Sequence, residues 1–385
     1  MKVLIINQHT NNFGDDAAGT ALLNMLLQRD DIEDVDILYN SEDALDFEDP
    51  KVHHDLQLSF RKIGYKNIAK YYLLQRPFHK KSKSPLMNEY IALIKNSDVV
   101  FMSPCGANIG IYKHWVSLAR VVMVVLEKKK MIFQYNTIGK SGNFLFDTIA
   151  KWALKRSKIY VREKKSYKYL QDRNIFCKWG PDTAFALPQC TDAIREDVVS
   201  LVPSSFDGWH PEFKGTPVDA KVQSELLPQL AKWAQERHLK IEILPHLGIE
   251  KEKKYNLAVM ECLRKAGAEQ VTLREDVLTM WDYDKAIGTS RYVVGMRYHT
   301  IVLASKNARP YLSLCYENKM WEVCKYTHMK ECGYELHNLV EGKSTDITSI
   351  LNYIEKNETQ ISDTLRQTVN KELIPMVEIP LQENL

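Results

Sequence analysis

Residues 292–314 read YVVGMRYHTIVLASKNARPYLSL. A short apolar run, Tyr292–Val294, gives way at Gly295 to a polar loop. A helical pattern over Thr300–Ser305 follows, then a second apolar run, Tyr311–Leu314. Short strands with no polar face, alternating with helices, belong to a parallel sheet covered on both sides. Upstream, the same rhythm predicts strands at Asp197–Val202, Ile241–Leu244 and Val271–Leu273, with helices over Val222–Glu236, Glu252–Lys265 and Val277–Ala286. The first half repeats it, with strands Val3–Ile6, Val35–Tyr39, Val99–Met102, Met131–Tyr135 and Ile159–Val161. Its helices are expected over Asp16–Gln28, Trp115–Leu126, Leu145–Lys155 and Lys164–Gln171. The expected fold is α/β, two doubly wound Rossmann-like domains facing one cleft. Residues 1–189 form the N-terminal domain and 190–345 the C-terminal domain. Residues 346–385 form a helical tail expected to pack back on the first.

A chain of 385 residues fits two domains at roughly 150 residues each. Its 52 basic and 49 acidic residues leave a net charge of +3, which excludes a general polyanion binder. The charge is uneven, because residues 56–88 hold eight Lys or Arg and no Asp or Glu. Apolar and aromatic residues interleave with them, which suits either an anionic membrane surface or a solvated insertion packed on its own domain. No nucleic-acid-binding motif accompanies the charge, so nucleic acid is not an expected partner. Seven Cys, an odd number without a CxxC pair, suggest neither a disulfide framework nor zinc, and no metal is expected. The apolar runs at the N-terminus and at Val121–Leu126 are too short for a signal peptide or a membrane span. The expected location is the cytoplasm, or the cytoplasmic face of a membrane.

Loops that follow strands carry the candidate chemistry. Asn12-Phe13-Gly14-Asp15-Asp16 lies between a strand and a helix, where a carboxylate either caps the helix or accepts a hydrogen bond from a ligand hydroxyl. It is not GxGxxG, so a dinucleotide is not implied. Arg297 and His299 stand two apart at the positive end of the helix after Gly295. A guanidinium there suits phosphate or carboxylate, and an imidazole can move a proton near pH 7. Arg162 and His246 occupy similar positions after strands. Each is explained singly by turn or cap chemistry, but the set suits a small, doubly charged anion.

The blocks NFGDDA (12–17), VREKKSYKYL (161–170), GPDTAFALP (180–188), ILPH (243–246) and VGMRYHTIVLASKNARPYLSLCYENKM (294–320) occur in that order. With them the chain resembles the polysaccharide pyruvyl transferase family. It departs at SPCGANIG (103–110), where relatives often have a Gly-rich run, and at YNTIGKSG (135–142), where a Gly-Pro turn is usual. ILPH also lacks the acidic residue often found shortly after it.

The resemblance implies a GT-B-like fold and transfer of pyruvate from phosphoenolpyruvate to two hydroxyls of a sugar, galactose being one candidate, as a cyclic ketal. No cofactor is implied beyond that donor substrate. Arg297 and His299 would hold phosphoenolpyruvate, with Arg162 and His246 as further contacts. Asn12, Asp15 and Asp16 would meet the acceptor, expected to be a lipid-linked oligosaccharide or polysaccharide precursor. His299 and Asp15 would move protons. The competing readings are a GT-B-type glycosyltransferase using a nucleotide sugar and a non-enzymatic carbohydrate-binding protein.

Overall fold

The computed structural model describes residues 1–58, 65–78, 80–206, 210–247 and 249–385. The chain forms two compact units. The first comprises residues 1–11, 15–187 and 375–385, and the second residues 12–14 and 188–374.

The first unit is built on seven strands: β1 (Lys2–Gln8), β2 (Asp34–Tyr39), β3 (Val52–His54), β4 (Val99–Met102), β5 (Lys130–Asn136), β6 (Lys158–Val161) and β7 (Lys178–Trp179). All pair in parallel, in the order β3-β2-β1-β4-β5-β6-β7. The central runs VLII, VVFM and MIFQY are buried along their whole length, which is why they read as unbroken apolar stretches. Strand order reverses between β1 and β4, the switch point beside which ligands collect at strand C-termini.

The second unit repeats the plan with β8 (Arg195–Val202), β9 (Lys240–Ile243), β10 (Val271–Leu273), β11 (Ser290–Gly295), β12 (Tyr311–Cys315) and β13 (Gly333–Glu335). The parallel order is β10-β9-β8-β11-β12-β13, so its switch point lies between β8 and β11. The short edge strands β3, β7 and β13 were not expected from sequence, since VHH, KW and GYE carry no apolar run.

Helix boundaries differ where caps and proline intervene. Thr279 and Asp282 form a capping box that starts a helix at Met280, not Val277. The pattern over 222–236 is interrupted by a π turn, Val222–Leu226, just before Pro228 in the helix Leu227–Glu236. The tail also divides between the units. Helices Thr348–Lys356 and Glu358–Thr368 belong to the second unit, whereas residues 375–385 belong to the first. There the Gln134 side chain donates to the Val377 carbonyl at 3.2 Å, and Tyr160 donates to Glu383 at 2.6 Å.

Within the basic segment, Arg61, Lys62 and Ile63 lie outside the described residues. Arg76 is tied to its own unit. Its guanidinium donates to the Leu126 carbonyl at 2.7 Å and pairs with Glu127 at 3.1 Å. No helix among the described residues is long and apolar enough to cross a membrane.

Candidate active site

In the second unit, β11 delivers Arg297 and His299 to the switch point. The turn from strand to helix needs Gly295, where a Cβ would stand 2.7 Å from Ile301 and 2.9 Å from Thr300. Arg297 is the N-cap of the helix Tyr298–Lys306, and its side chain makes no cap hydrogen bond. The site therefore includes the positive end of that helix.

Three other segments converge there. From the loop after β9, the His246 ring lies nearly parallel to that of His299, with centroids 6.4 Å apart. Its Nδ1 is hydrogen-bonded to the Tyr283 hydroxyl at 3.2 Å, which in turn meets Thr300 at 2.8 Å. Burial, reinforced by the charges of Arg297, His299 and Lys319, holds the His246 imidazole well below its ordinary pKa and so keeps it neutral.

From the helix Ile249–Lys265, Glu252 accepts from Arg297 at 2.7 Å through one oxygen. Its other oxygen accepts from the amides of His246 and Leu247 at 2.7 and 3.0 Å. From the third segment, residues 12–14, the Phe13 amide donates to the His246 carbonyl at 3.1 Å and Asn12 bridges Leu247. Gly14 lies so close to His299 that a Cβ would fall 2.0 Å from Nδ1.

After β12, Lys319 pairs with Glu317 at 2.9 Å, and His210 reaches the same carboxylate at 3.1 Å. Burial alone would raise the Glu317 pKa, but Lys319 and His210 outweigh it and bring it down to about 2.

Asn12 thus joins Arg297, His299 and His246 in the second unit, not the first as its place in the sequence suggested. Asp15, Asp16 and Arg162 belong to the first unit. Arg162 is buried there, donating to Asp182 at 2.6 Å and to Thr137 at 3.2 Å. Asp182 also caps the turn Thr183–Ala186, so the ion pair ties the blocks REKKS and PDTAF together.

At the switch point of the first unit, His9 follows β1 and meets Asn108 at 2.6 Å and Asn40 at 3.1 Å. Burial lowers its pKa, while Asp15 acts in the opposite direction. Neither His9 nor Glu252 was singled out from sequence. Among the described residues, no group of three or more His, Cys, Asp or Glu side chains could hold a metal ion.

A family model described as polysaccharide pyruvyl transferase matches residues 12–318, from the Asn12 loop to the segment after β12. The chain belongs to the polysaccharide pyruvyl transferase family. No curated protein matches it in sequence.

Solved structures similar to this pyruvyl transferase family member include UDP-GlcNAc 2-epimerase from Methanocaldococcus jannaschii, at 10% identity over 100% of this chain and 99% of that one, TM-score 0.58. The S. aureus MnaA–UDP co-structure matches at 12% identity over 99% and 97%, TM-score 0.57. Anabaena Alr3699/HepE in complex with UDP and glucose matches at 11% identity over 100% and 98%, TM-score 0.55. At such identities the likeness concerns the fold, a GT-B-type pair of Rossmann-like sheets.

Chemically, the second-unit site of this family member combines a guanidinium oriented by Glu252, a helix N-terminus, a lysine paired with Glu317 and two nearly parallel imidazoles. That set suits a small polyanion on which a proton must be moved.

Proposed function

We propose that this chain transfers pyruvate from phosphoenolpyruvate to two hydroxyls of one sugar, forming a cyclic ketal and releasing phosphate. What carries this is the convergence of Arg297, His299 and His246 at the switch point of the second unit, inside the family-matched segment. Arg297 and the amides of its helix bind phosphate and carboxylate oxygens, and neutral His246 lines the site.

His299 gives a proton to the methylene carbon of the donor, which makes C2 electrophilic. One sugar hydroxyl adds to C2 and loses its proton. The C2–O bond to phosphate breaks, phosphate leaves with one of the two hydroxyl protons, and the second hydroxyl adds to C2 as its proton restores His299. Asp15 takes a proton from the acceptor, and Asn12 and Asp16 hydrogen-bond its hydroxyls. No cofactor is needed. The acceptor is a galactose-type sugar in a lipid-linked or polysaccharide precursor.

The test is phosphate release from phosphoenolpyruvate with a panel of galactosides. Release that depends on the sugar, with a ketal product, is the expected result. Turnover of a nucleotide sugar in place of phosphoenolpyruvate would overturn it. His299→Ala should slow release by roughly 10²–10⁴.

A further inference from the structure

The charge of the chain is concentrated in one stretch. Residues 56–146 contain fifteen Lys and Arg against three Asp and Glu, although the whole chain is only +3. All of them belong to the first unit. One of the three carboxylates, Glu127, is buried beside Arg76 and Lys95, and Arg120 is buried as well. Lys70, Lys80, Lys81, Lys83, Lys113 and Lys140 are exposed.

Large apolar side chains stand in solvent on the same stretch. The helical segment over 65–78 turns Ile68 and Tyr71 into the core, leaving Leu73 73% exposed and Leu74 beside it. At the start of the helix Phe144–Leu154, Phe144 is 87% exposed and Leu145 60%. Ile111 is exposed on the loop before the helix Trp115–Leu126, and Trp115 is exposed at that helix's start. That loop is joined to the one leading into Phe144 by the Ile109–Ile138 bridge and a 3.0 Å hydrogen bond from Gly139 to Ile109. The Trp115 ring packs edge-on against Phe146 at 5.0 Å. The helix Trp115–Leu126 links the two sets, starting at Trp115 and ending where Arg76 grips Leu126.

Isolated exposed hydrophobics need no explanation, but neighbouring ones flanked by lysines do. Aromatic and aliphatic groups beside Lys, with few carboxylates, match the headgroup region of an anionic bilayer. A second copy meeting this surface would set basic face against basic face and be repelled.

We propose that this surface of the first unit docks on an anionic lipid bilayer. Phe144, Leu145, Ile111 and Trp115 insert at headgroup depth, with Leu73 and Leu74 as a second foothold, and the exposed lysines meet lipid charge. The proposal extends the expectation for residues 56–88 and stands independently of the pyruvyl-transfer chemistry.

The test is flotation of the full chain with vesicles of phosphatidylcholine alone and of a phosphatidylcholine–phosphatidylglycerol mixture. Binding is expected only to the mixture and should weaken with salt. Phe144→Ser with Leu145→Ser should weaken it about tenfold or more. Lys80→Gln, Lys81→Gln and Lys83→Gln together should weaken it about a hundredfold at low salt. All these side chains are exposed, so the variants should melt with the parent. Equal binding to both vesicles, or to neither, overturns the proposal. So does a dimer in light scattering that the Phe144/Leu145 variant dissolves, because the patch would then belong to a second copy.

Discussion

Gly14 makes the most restrictive contact in the site, with a built Cβ falling 2.0 Å from His299 Nδ1 and 2.6 Å from its Cβ. The ring must therefore move in Gly14→Ala. Overpacking of this kind costs about 1–3 kcal/mol, and a misplaced catalytic group of order 1 Å loses about 10²-fold in rate. Gly14→Ala should show both a lower melting temperature and slower phosphate release. Combined with His299→Ala it should slow release no further, because the two changes remove the same group. An additive double variant would separate Gly14 from His299.

His246 offers a pH test. Its pKa is lowered in the fold by burial and by neighbouring positive charge, so the unfolded chain binds a proton below about pH 6.5 that the folded chain refuses. The stability tied to neutral His246 is present above that pH and is lost as pH falls toward the folded pKa, at up to about 1.4 kcal/mol per unit. Unfolding curves of His246→Gln should have a shallower acid limb between about pH 6.5 and 5 than the parent. Identical slopes would show that His246 is not held neutral. Arg297 and His299 were legible in sequence because an apolar strand, a glycine and a helix bracket them. His9 was not, because nothing local says that its strand adjoins the point where strand order reverses.

Among the elements, the helix Ile249–Lys265 has the widest reach through one side chain. Glu252 in its first turn holds Arg297 with one oxygen and two amides of the 246–247 turn with the other, and that turn in turn holds Asn12 and Phe13. Glu252→Gln cannot satisfy a guanidinium and two amides at once, since one end of its amide is a donor. The expected cost is roughly 2–4 kcal/mol in denaturant unfolding, with weaker binding of phosphoenolpyruvate by calorimetry. Parent-like affinity in a destabilised variant would leave Glu252 a role in folding alone. Such a carboxylate cannot be identified from spacing, because its partners lie 6 and 45 residues away and meet it only through the sheet. Central strands were legible for the opposite reason. VVFM at 99–102 is a short, β-rich apolar run and is buried throughout, whereas the edge pair KW at 178–179 draws its strand character from β6.

At the scale of the whole molecule, the first unit is not one continuous stretch of chain. Residues 375–385 return to it after the entire second unit, a connection that helical periodicity in the tail could not specify. The helix Ile374–Asn384 buries Val377, Pro380 and Leu381. Gln134 and Tyr135 donate to its carbonyls, and Tyr160 and Lys178 bind Glu383. Three apolar side chains at about 1.5–3 kcal/mol each, with four hydrogen bonds at about 1 kcal/mol each, give roughly 8–13 kcal/mol, an upper estimate. A domain has only about 5–15 kcal/mol in total, so a chain ending at Ile374 should lose most of the stability of its first unit. Amide hydrogen exchange should then show β5 and β6 deprotected while β8 and β11 keep their protection, and added peptide 375–385 should restore the first pair. Unchanged protection in β5 and β6 would mean that the helix merely rests on that sheet. Loss of protection in all four strands would instead make the two units a single cooperative body.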